Sequence, residues 1–322
     1  GGLNLNDAIY ISKQLEKAGV DMLHVSGGTT IKRGSSIPAP GTKMGSHSAL
    51  SAEIKKHVSI PVATVGRITE PWLAEELLEN DKADICMIGR ANLCEPEFCN
   101  KAQAGHEEDI RPCIGCLRCL NGIMFGKRVA CTVNPSLEPE NEDTITPAKE
   151  TKNVLVIGGG PAGMEAAYVA AKRGHHVVLA DRQDSLGGTV RIAAVPIAKQ
   201  DLTQLIKYQA HKLEQAGVKV LLNTEVTLET IQKDYPDYEV ILCAGATPVV
   251  PQFMTQFKDW MTADDVLYGR KFPGRKIVVI GGGSVGCETA DYLAPVLNDR
   301  FPRNREITLI EMAHEIMEAE SG

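Results

Sequence analysis

The chain has 322 residues, of which 43% are hydrophobic and 23% are charged. This balance is typical of globular proteins and supplies enough apolar side chains for two or three cores. The formal net charge of −7 argues against a nucleic-acid partner, because such a partner requires clustered positive charge. No apolar run reaches the roughly 18 residues that a membrane span needs, so no membrane partner is expected.

Four of the nine cysteines lie in one short stretch, and the other five are scattered. A secreted, disulfide-stabilised protein would be smaller and would have more evenly spread cysteines. Clustered cysteines in a large acidic chain indicate a metal or metal-cluster site in a reducing compartment instead. The predicted location is therefore cytoplasmic.

Residues 1–108 alternate between helices and strands. Apolar spacing predicts three helices and three strands, at Ile9–Ala18, Asp21–Val25, Ala49–His57, Ile60–Val65, Trp72–Glu79 and Asp84–Ile88. The polar residues that follow the strands are typical of a (β/α)8 barrel, whose working face lies at the carboxyl ends of its strands. Three units cannot close such a barrel, so this part is predicted to be the C-terminal part of one.

Residues 109–150 are rich first in cysteine and then in proline and glutamate, which suggests a metal-cluster segment followed by an exposed connector. Residues 151–272 and 273–322 each begin with an apolar strand, Val154–Ile157 and Ile277–Ile280, followed by a glycine triplet. The similar runs GGGPAGMEAA and GGGSVGCETA predict two related, Rossmann-like dinucleotide-binding lobes. The second lobe is predicted to be incomplete, which makes the whole α/β chain a truncated piece.

Cys113, Cys116 and Cys119 are separated by two residues each, and Cys131 supplies a fourth thiol. Closely spaced thiolates of this kind can reach different irons of one compact cluster, and four of them complete a 4Fe-4S site. A structural zinc site also takes four thiolates, but usually from two separated pairs. The pattern therefore favours the cluster and leaves zinc as the alternative.

The first glycine loop, Gly158-x-Gly160-x-x-Gly163, follows a strand and opens a helix. Gly158 permits the tight turn, Gly160 lets a pyrophosphate approach the backbone, and Gly163 allows the helix to pack closely on the strand. Asp181 ends the next predicted strand, His176–Ala180, where its carboxylate can accept hydrogen bonds from a ribose.

The second loop, Gly281-x-Gly283-x-x-Gly286, is followed by Glu311 at the end of strand Ile307–Ile310. A carboxylate there accepts hydrogen bonds from two ribose hydroxyls and repels a 2′-phosphate, so NADH is predicted rather than NADPH. The two motifs do not by themselves decide which loop holds FAD. Residues 184–188 and the turn at 244–246 are typical of a flavin lobe that an NAD lobe interrupts.

The order of these segments resembles the iron–sulfur branch of the old yellow enzyme family. The likeness rests on C-I-G-C-L-R-C, C-T-V-N-P, G-G-G-P-A-G, L-G-G and G-G-G-S-V-G-C-E-T-A, and it covers nearly the whole chain. Members of this branch include 2-enoate reductase, 2,4-dienoyl-CoA reductase, trimethylamine dehydrogenase and related NADH:flavin oxidoreductases. The resemblance implies FMN at the barrel mouth, FAD and NADH in the two lobes, and a 4Fe-4S cluster between them.

The resemblance also implies roles for individual residues. Arg67, Gly89 and Arg90 would contact FMN, since a guanidinium and a backbone amide both suit a phosphate. The cluster would be held by Cys113, Cys116, Cys119 and Cys131. Besides the glycine loop, the residues implied to contact FAD are Ala162, Asp181, Thr189, Lys199 and Val226.

The chain departs from the dienoyl-CoA reductases at two places. These enzymes have one more residue between the second and third cluster cysteines. They also have a histidine proton donor near the loop that corresponds to residues 29–33 of this chain. The shorter spacing here resembles the enoate-reductase and amine-dehydrogenase members, and no histidine lies between His24 and His47. This argues against a dienoyl-CoA substrate, and it leaves His24, at the end of a strand, as a weak catalytic candidate.

The predicted function is an NADH-dependent oxidoreductase that passes electrons from NADH through FAD and the cluster to FMN. Flavins exchange one or two electrons, so a flavin can stand on each side of a one-electron cluster. FMN would then reduce an activated C=C bond of a small unsaturated substrate, such as an enoate, an enoyl thioester or an enone.

The sequence is also consistent with two other functions. In the first, an amine dehydrogenase oxidises its substrate at FMN and passes electrons through the cluster to a protein acceptor. In the second, the chain is an electron-transfer module for a partner protein. The oligomeric state is left open.

Overall fold

A computed structural model describes residues 2–29, 36–137, 145–294 and 305–317. The chain divides into two compact units. The first contains Gly1–Glu150, Ala171–Gly174 and Lys207–Gly217, and the second contains Thr151–Ala170, His175–Ile206 and Val218–Gly322. No helix in the described part of the chain is long and apolar enough to span a membrane.

The first unit begins with a βα-alternating region. Its helices and strands are α1 (Leu5–Lys17), β1 (Leu23–Val25), α2 (Ser48–Lys55), β2 (Val62–Thr64), α3 (Pro71–Glu79), β3 (Ile85–Cys86), α4 (Arg90–Cys94), α5 (Phe98–Gln103) and α6 (Arg118–Met124). The strands form a parallel sheet in the order β1-β2-β3. This arrangement confirms the predicted barrel-type βα units.

Helix α1 begins four residues earlier than predicted, because the turn before it is capped. The Asp7 N–H donates to the Asn4 side chain at 3.1 Å, and the Asn4 N–H donates to the Asp7 carboxylate at 3.0 Å. This reciprocal capping box stabilises a helix start that apolar spacing alone does not reveal.

The predicted barrel strands are longer than the observed ones. Asp84, predicted to start the third strand, uses its carboxylate to accept the Val62 N–H at 2.8 Å. The Asp84 side chain thus replaces a backbone acceptor where β2 and β3 begin to pair. The regular pairing of these two strands therefore starts at Ala63 and Ile85.

One face of the small sheet is covered by helices. Leu23 and Val25 of β1 and Val62 of β2 pack with Ile54 of α2. Burying an aliphatic side chain of this kind stabilises the fold by about 1.5–3 kcal/mol. The carboxyl ends of the strands therefore lead into loops whose positions are set by this packed layer.

The second unit is built on a four-stranded parallel sheet. Its elements in the chain are β4 (Asn153–Ile157), α7 (Pro161–Lys172), β5 (His176–Ala180), α8 (Val190–Ala193), α9 (Leu202–Gln215), β6 (Lys219–Leu221), α10 (Leu228–Asp234) and β7 (Glu239–Leu242). The ends of α7 and α9 belong to the first unit. The strand order is β6-β5-β4-β7, and the order therefore reverses beside β4, where open α/β sheets bind ligands.

A further set of elements repeats this pattern. It comprises α11 (Ala263–Leu267), β8 (Lys276–Ile280), α12 (Ser284–Leu293) and β9 (Glu306–Ile310), and β8 pairs with β9 in parallel. The start of a second βαβ unit predicted from the glycine repeat is thus confirmed. In the described ranges, short 3-10 helices lie at Glu107–Asp109, Pro135–Leu137, Ile197–Lys199 and Gln252–Gln256.

Candidate functional site

The first three cysteines lie on a tightly turning loop that leads into α6. Gly115 has φ +68° and Leu117 has φ +62°, so two residues of the loop adopt the left-handed conformation. That conformation costs about 1–2 kcal/mol for a residue with a side chain, as at Leu117. The loop retains this strain at the point where it brings Cys113, Cys116 and Cys119 close together, which is typical of functional sites.

All four predicted cluster cysteines line one pocket. The pocket region has about 320 Å³ of space free of protein atoms, part of which is open solvent. Its lining residues are Arg90, Leu93, Cys113, Ile114, Gly115, Cys116, Leu117, Cys119, Cys131 and Val133. The structure thus brings Cys131 to the same space as the three cysteines that precede it by 12 or more residues in the sequence.

Backbone N–H groups surround the thiols. The N–H of Gly115 donates to Cys113, and the N–H of Leu120 donates to Cys119. Burial is the larger influence on both cysteines and raises the pKa of each thiol. Hydrogen bonds to sulfur stabilise thiolates bound to iron, so this donor set suits a site where the bound metal keeps the sulfurs deprotonated.

Cys131 differs from the other thiols. Its hydrogen bond with the buried Cys94 lowers the pKa of Cys131 to about 6, and the N–H groups of Val133 and Asn134 act in the same direction. The same hydrogen bond, together with burial, raises the pKa of Cys94. The Cys94 sulfur also lies 3.4 Å from the Pro112 carbonyl oxygen. Cys131 is therefore prepared to bind as a thiolate, the form that ligates metals.

In the described residues, no three His, Cys, Asp or Glu side chains are grouped as ligands of one metal ion. A zinc ion would require all four sulfurs to lie about 2.3 Å from one centre. The four cysteines are neighbours in the lining of one pocket.

A buried polar network fixes the segment after Cys131. Asn134 is 2% exposed, and its Nδ2 donates to the Leu93 carbonyl oxygen at 3.0 Å. Its Oδ1 accepts hydrogen bonds from Arg111 Nη1 at 2.5 Å and from the Ser136 N–H at 3.1 Å. The residue thereby ties the chain after Cys131 to the chain before Cys113.

The two arginines predicted to contact FMN follow β2 and β3. Arg67 has φ +55° and donates to the Thr42 carbonyl oxygen, and Arg90 Nη2 donates to the Pro38 carbonyl oxygen at 2.8 Å. Both guanidinium groups therefore reach the same loop. Gly89 is the N-cap residue of α4. Apart from Gly89 and its chain neighbours, no heavy atom lies within 4 Å of the position that a Cβ would take there, so its backbone is open to a ligand.

His24, the weak catalytic candidate, lies on β1 with its side chain exposed, between the buried Leu23 and Val25. A different histidine, His47, is 4% exposed, and burial lowers its pKa so that the neutral imidazole is favoured. It packs against Gly27 and Gly66, which follow β1 and β2. Sequence reasoning missed this residue. The two glycines after neighbouring strands were the available signal, because a Cβ at either would crowd the imidazole ring.

The first glycine loop packs tightly at two of its three motif positions. A Cβ at Gly163 would lie 1.8 Å from the Gly158 carbonyl oxygen. Gly158 itself has φ +109°, and a Cβ there would lie 2.2 Å from the Cys243 carbonyl oxygen. A Cβ at Gly160, by contrast, would meet only the Gly188 Cα, at 4.0 Å. The first two positions exclude a side chain because of the protein's own backbone, and the third faces open space at the edge of the sheet.

Asp181 is oriented by this loop. Its Oδ2 accepts the Gly159 N–H at 2.5 Å, and its Oδ1 accepts the Gln183 N–H at 2.7 Å. The Gly159 carbonyl oxygen in turn accepts the Gly187 N–H at 2.8 Å. The structure thus joins the glycine loop, the acidic residue and the L-G-G segment at one end of the sheet.

The second glycine loop repeats these contacts. A Cβ at Gly286 would lie 1.8 Å from the Gly281 carbonyl oxygen. The Gly282 N–H donates to Glu311 Oε2 at 2.5 Å, and the N–H groups of Met312 and Ala313 donate to Oε1 at 2.6 and 2.8 Å. These backbone hydrogen bonds lower the pKa of Glu311, with that from Ala313 as the largest cause. Gly283 adopts extended backbone at the start of α12.

The remaining residues assigned to FAD lie in different surroundings. Ala162 is exposed in the first turn of α7, and Thr189 is exposed directly after the L-G-G segment. Lys199 forms an ion pair with Glu288 of α12. Val226 packs against the core of the four-stranded sheet. The first two thus lie beside the glycine loop, whereas Lys199 and Val226 have protein partners.

Two family models match the chain in succession. Residues 3–109 match the NADH:flavin oxidoreductase / NADH oxidase family, and residues 152–321 match the pyridine nucleotide-disulphide oxidoreductases. The second match covers more than half of the chain. The four cysteines lie in the stretch between the two matches.

Similar proteins contain both parts. A bilirubin reductase of Mediterraneibacter gnavus is 39% identical over 100% of this chain and 50% of its own length. An NADH oxidase of Thermoanaerobacter brockii is 40% identical over 98% of this chain and 48% of its own length. The solved structure of a 2-naphthoyl-CoA reductase complex superposes with a TM-score of 0.91 at 29% identity, over 99% of this chain and 48% of that one.

The chain spans about half the length of these relatives. Their names are those of oxidoreductases, and the similarity extends across the barrel units, the cysteine segment and the glycine loops together. The chain belongs to the pyridine nucleotide-disulphide oxidoreductases through its second part, and that part is joined to a barrel portion of the NADH:flavin oxidoreductase / NADH oxidase family.

Proposed function

We propose that this chain is part of an NADH-dependent ene-reductase in which a 4Fe-4S cluster connects an FAD-binding module to an FMN-binding barrel. The observation that carries the proposal is the pocket lined by four cysteines, all of which lie in the chain between the two family matches. Two flavin sites joined by a single-electron carrier form a chemically consistent path, because flavins exchange either one or two electrons.

The donor set supports the cluster. Cys113, Cys116, Cys119 and Cys131 would hold it, and all four line one pocket. Backbone N–H groups donate to three of the thiols. When bound, the cluster supplies one-electron transfer between the flavins. The apolar side chains of Leu93, Ile114 and Val133 would exclude water from the cluster, and Arg90 would stabilise its negative charge.

The two glycine loops support the nucleotide assignments. We assign FAD to the loop at Gly158–Gly163, because the Gly160 position is open while Gly188 of the L-G-G segment lies beside it. We assign NADH to the loop at Gly281–Gly286. The Glu311 carboxylate is fixed there by three backbone N–H groups, and its negative charge would repel the 2′-phosphate of NADPH.

The FMN assignment rests on the two strand-end arginines and the open backbone at Gly89. A guanidinium group suits a phosphate because its donors form paired, charge-assisted hydrogen bonds. Polar groups at the carboxyl ends of barrel strands occupy the face where barrel enzymes bind their ligands. We place FMN, and next to it the substrate, at this face.

The substrate class follows from the relatives. Two of the similar proteins are named as reductases, of bilirubin and of 2-naphthoyl-CoA. We propose that the substrate here is a small molecule with a C=C bond conjugated to a carbonyl group, such as an enoate, an enoyl thioester or an enone. A site built on metal-binding thiols favours a reducing compartment, so we place the enzyme in the cytoplasm.

The proposal is tested with the anaerobic full-length protein by following NADH oxidation with panels of enoates, enoyl thioesters and enones. Dimethylamine and sarcosine with a dye acceptor serve as the comparison. We expect NADH to be consumed with at least one conjugated alkene, with formation of the saturated product and no amine oxidation. Amine oxidation without alkene reduction would instead identify a dehydrogenase. Turnover with neither panel would favour an electron-transfer module.

A further inference from the structure

Arg90 belongs to two sites at once. It directly follows Gly89 at the carboxyl end of β3, where FMN is proposed to bind, and it is the first residue of α4. It also lines the pocket formed by the four cysteines. No other predicted FMN residue lines that pocket.

The guanidinium group of Arg90 is only partly satisfied. Its Nη2 donates to the Pro38 carbonyl oxygen at 2.8 Å. Its Nη1 is buried and has no hydrogen-bond partner in the described part of the chain. A buried charged donor is costly unless a partner compensates it. The residue therefore retains hydrogen-bonding capacity for a group that binds in its surroundings.

The charge of Arg90 reaches the thiols. The Arg90 side chain lines the same pocket as Cys113 and Cys119. A positive charge beside the pocket favours any added negative charge within it. Partial burial limits the screening of this interaction by water and salt.

We infer that Arg90 is a positioning residue that sets the reduction potential of the cluster, in addition to its contact with FMN. The inference rests on the proposed function, because it requires a cluster in the thiol pocket. Reduction adds one electron to the cluster and makes it more negative by one charge. A neighbouring guanidinium stabilises the reduced form and raises the potential, so NADH-derived electrons are accepted more readily.

Arg67 offers a matched comparison. It also follows a glycine at the end of a barrel strand and donates to the same loop, at Thr42. It does not line the thiol pocket. Loss of Arg67 should therefore weaken FMN binding without changing the cluster, whereas loss of Arg90 should change both.

The experiment uses EPR-monitored redox titration of the anaerobic full-length protein with dithionite. Four forms are compared, namely the unsubstituted protein, Arg90→Gln, Arg90→Lys and Arg67→Gln. At a fixed potential, Arg90→Gln is expected to lower the ratio of reduced to oxidised cluster about tenfold, a negative shift of about 59 mV for one electron. Arg90→Lys keeps the charge and should recover most of the potential, and Arg67→Gln should leave it unchanged.

The titration separates the possible outcomes. An unchanged potential in Arg90→Gln, with a full cluster signal, would overturn the inference. So would an equal shift in Arg67→Gln, since the effect would then come from FMN loss. If Arg90→Gln does not fold, Arg90→Met takes its place, because it keeps an apolar stem and removes the charge; a potential below that of Arg67→Gln supports the inference, and equal potentials contradict it. Absence of any cluster signal from the unsubstituted protein would refute the cluster itself.

Discussion

Replacement of Gly163 by alanine is expected to prevent the second unit from folding around its first glycine loop. The added Cβ would lie 1.8 Å from the Gly158 carbonyl oxygen and 3.0 Å from its carbonyl carbon. Both are backbone atoms and cannot rotate away. We expect a loss of more than about 4 kcal/mol of unfolding free energy, seen as a large drop in soluble yield and in the thermal unfolding midpoint.

Gly160→Ala is the matched control for this prediction. The nearest heavy atom to a Cβ at this position is the Gly188 Cα at 4.0 Å, so the fold should tolerate the substitution. The same methyl group would occupy the space proposed for the pyrophosphate of FAD. We therefore expect a folded protein with a lower ratio of FAD to polypeptide, measured by absorbance after the flavin is released.

The pair of variants separates folding from cofactor binding. A Gly163→Ala protein with an unchanged unfolding midpoint would show that the helix and the loop are not packed as described. A Gly160→Ala protein that keeps its full FAD content would contradict the assignment of the first loop to FAD.

Substitution of Asn134 by alanine is expected to release the cluster segment. The change removes the acceptor of Arg111 and the donor to the Leu93 carbonyl oxygen from a site that is 2% exposed. Leaving such groups buried without partners costs about 1–3 kcal/mol each, and more for a charged group. Because Asn134 follows Cys131 by three residues, we expect most of this cost to appear as loss of the cluster.

The measurement is the iron and acid-labile sulfide content per polypeptide, together with the thermal unfolding midpoint. Asn121→Ala is the control, since Asn121 lies in the same segment with its side chain exposed. We expect less than about half of the unsubstituted iron content in Asn134→Ala and an unchanged content in Asn121→Ala. Full iron content and an unchanged midpoint in Asn134→Ala would show that the network does not support the site.

Local sequence patterns predict the nucleotide-binding half of the chain well. Strand β5 has the predicted bounds, His176–Ala180, because a short, uniformly apolar run bounded by polar residues allows few alternatives. The repeated glycine spacing also predicts that Gly163 and Gly286 lie close to the backbone of their loops. At both positions an added Cβ would lie 1.8 Å from a carbonyl oxygen of the loop. Here steric requirements between residues close in sequence determine the geometry.

The cysteine segment is only partly predictable, because its geometry depends on contacts between distant residues. The sequence identifies the four thiols. It does not reveal that Asn134 binds Arg111, 23 residues earlier, or that Cys94 contacts Cys131. The left-handed conformation of Leu117 is likewise invisible, since nothing in its residue type favours it.

Arg90 shows the same limit at a single position. Its place after Gly89 at a strand end predicts a ligand contact at the barrel mouth. Its presence in the thiol pocket depends on how α4 leads the chain towards the cysteine loop, and no local pattern encodes that path. The residue that links two proposed sites is therefore recognised only in the folded chain.

The central claim is that electrons from NADH reach a cluster held by the four cysteines. The most direct test is an EPR spectrum of the anaerobic full-length protein, recorded after addition of NADH alone and again after dithionite. We expect NADH to produce a reduced-cluster signal comparable to that given by dithionite. A signal with dithionite but none with NADH would contradict the proposed direction of electron flow, and no signal with either would contradict the cluster.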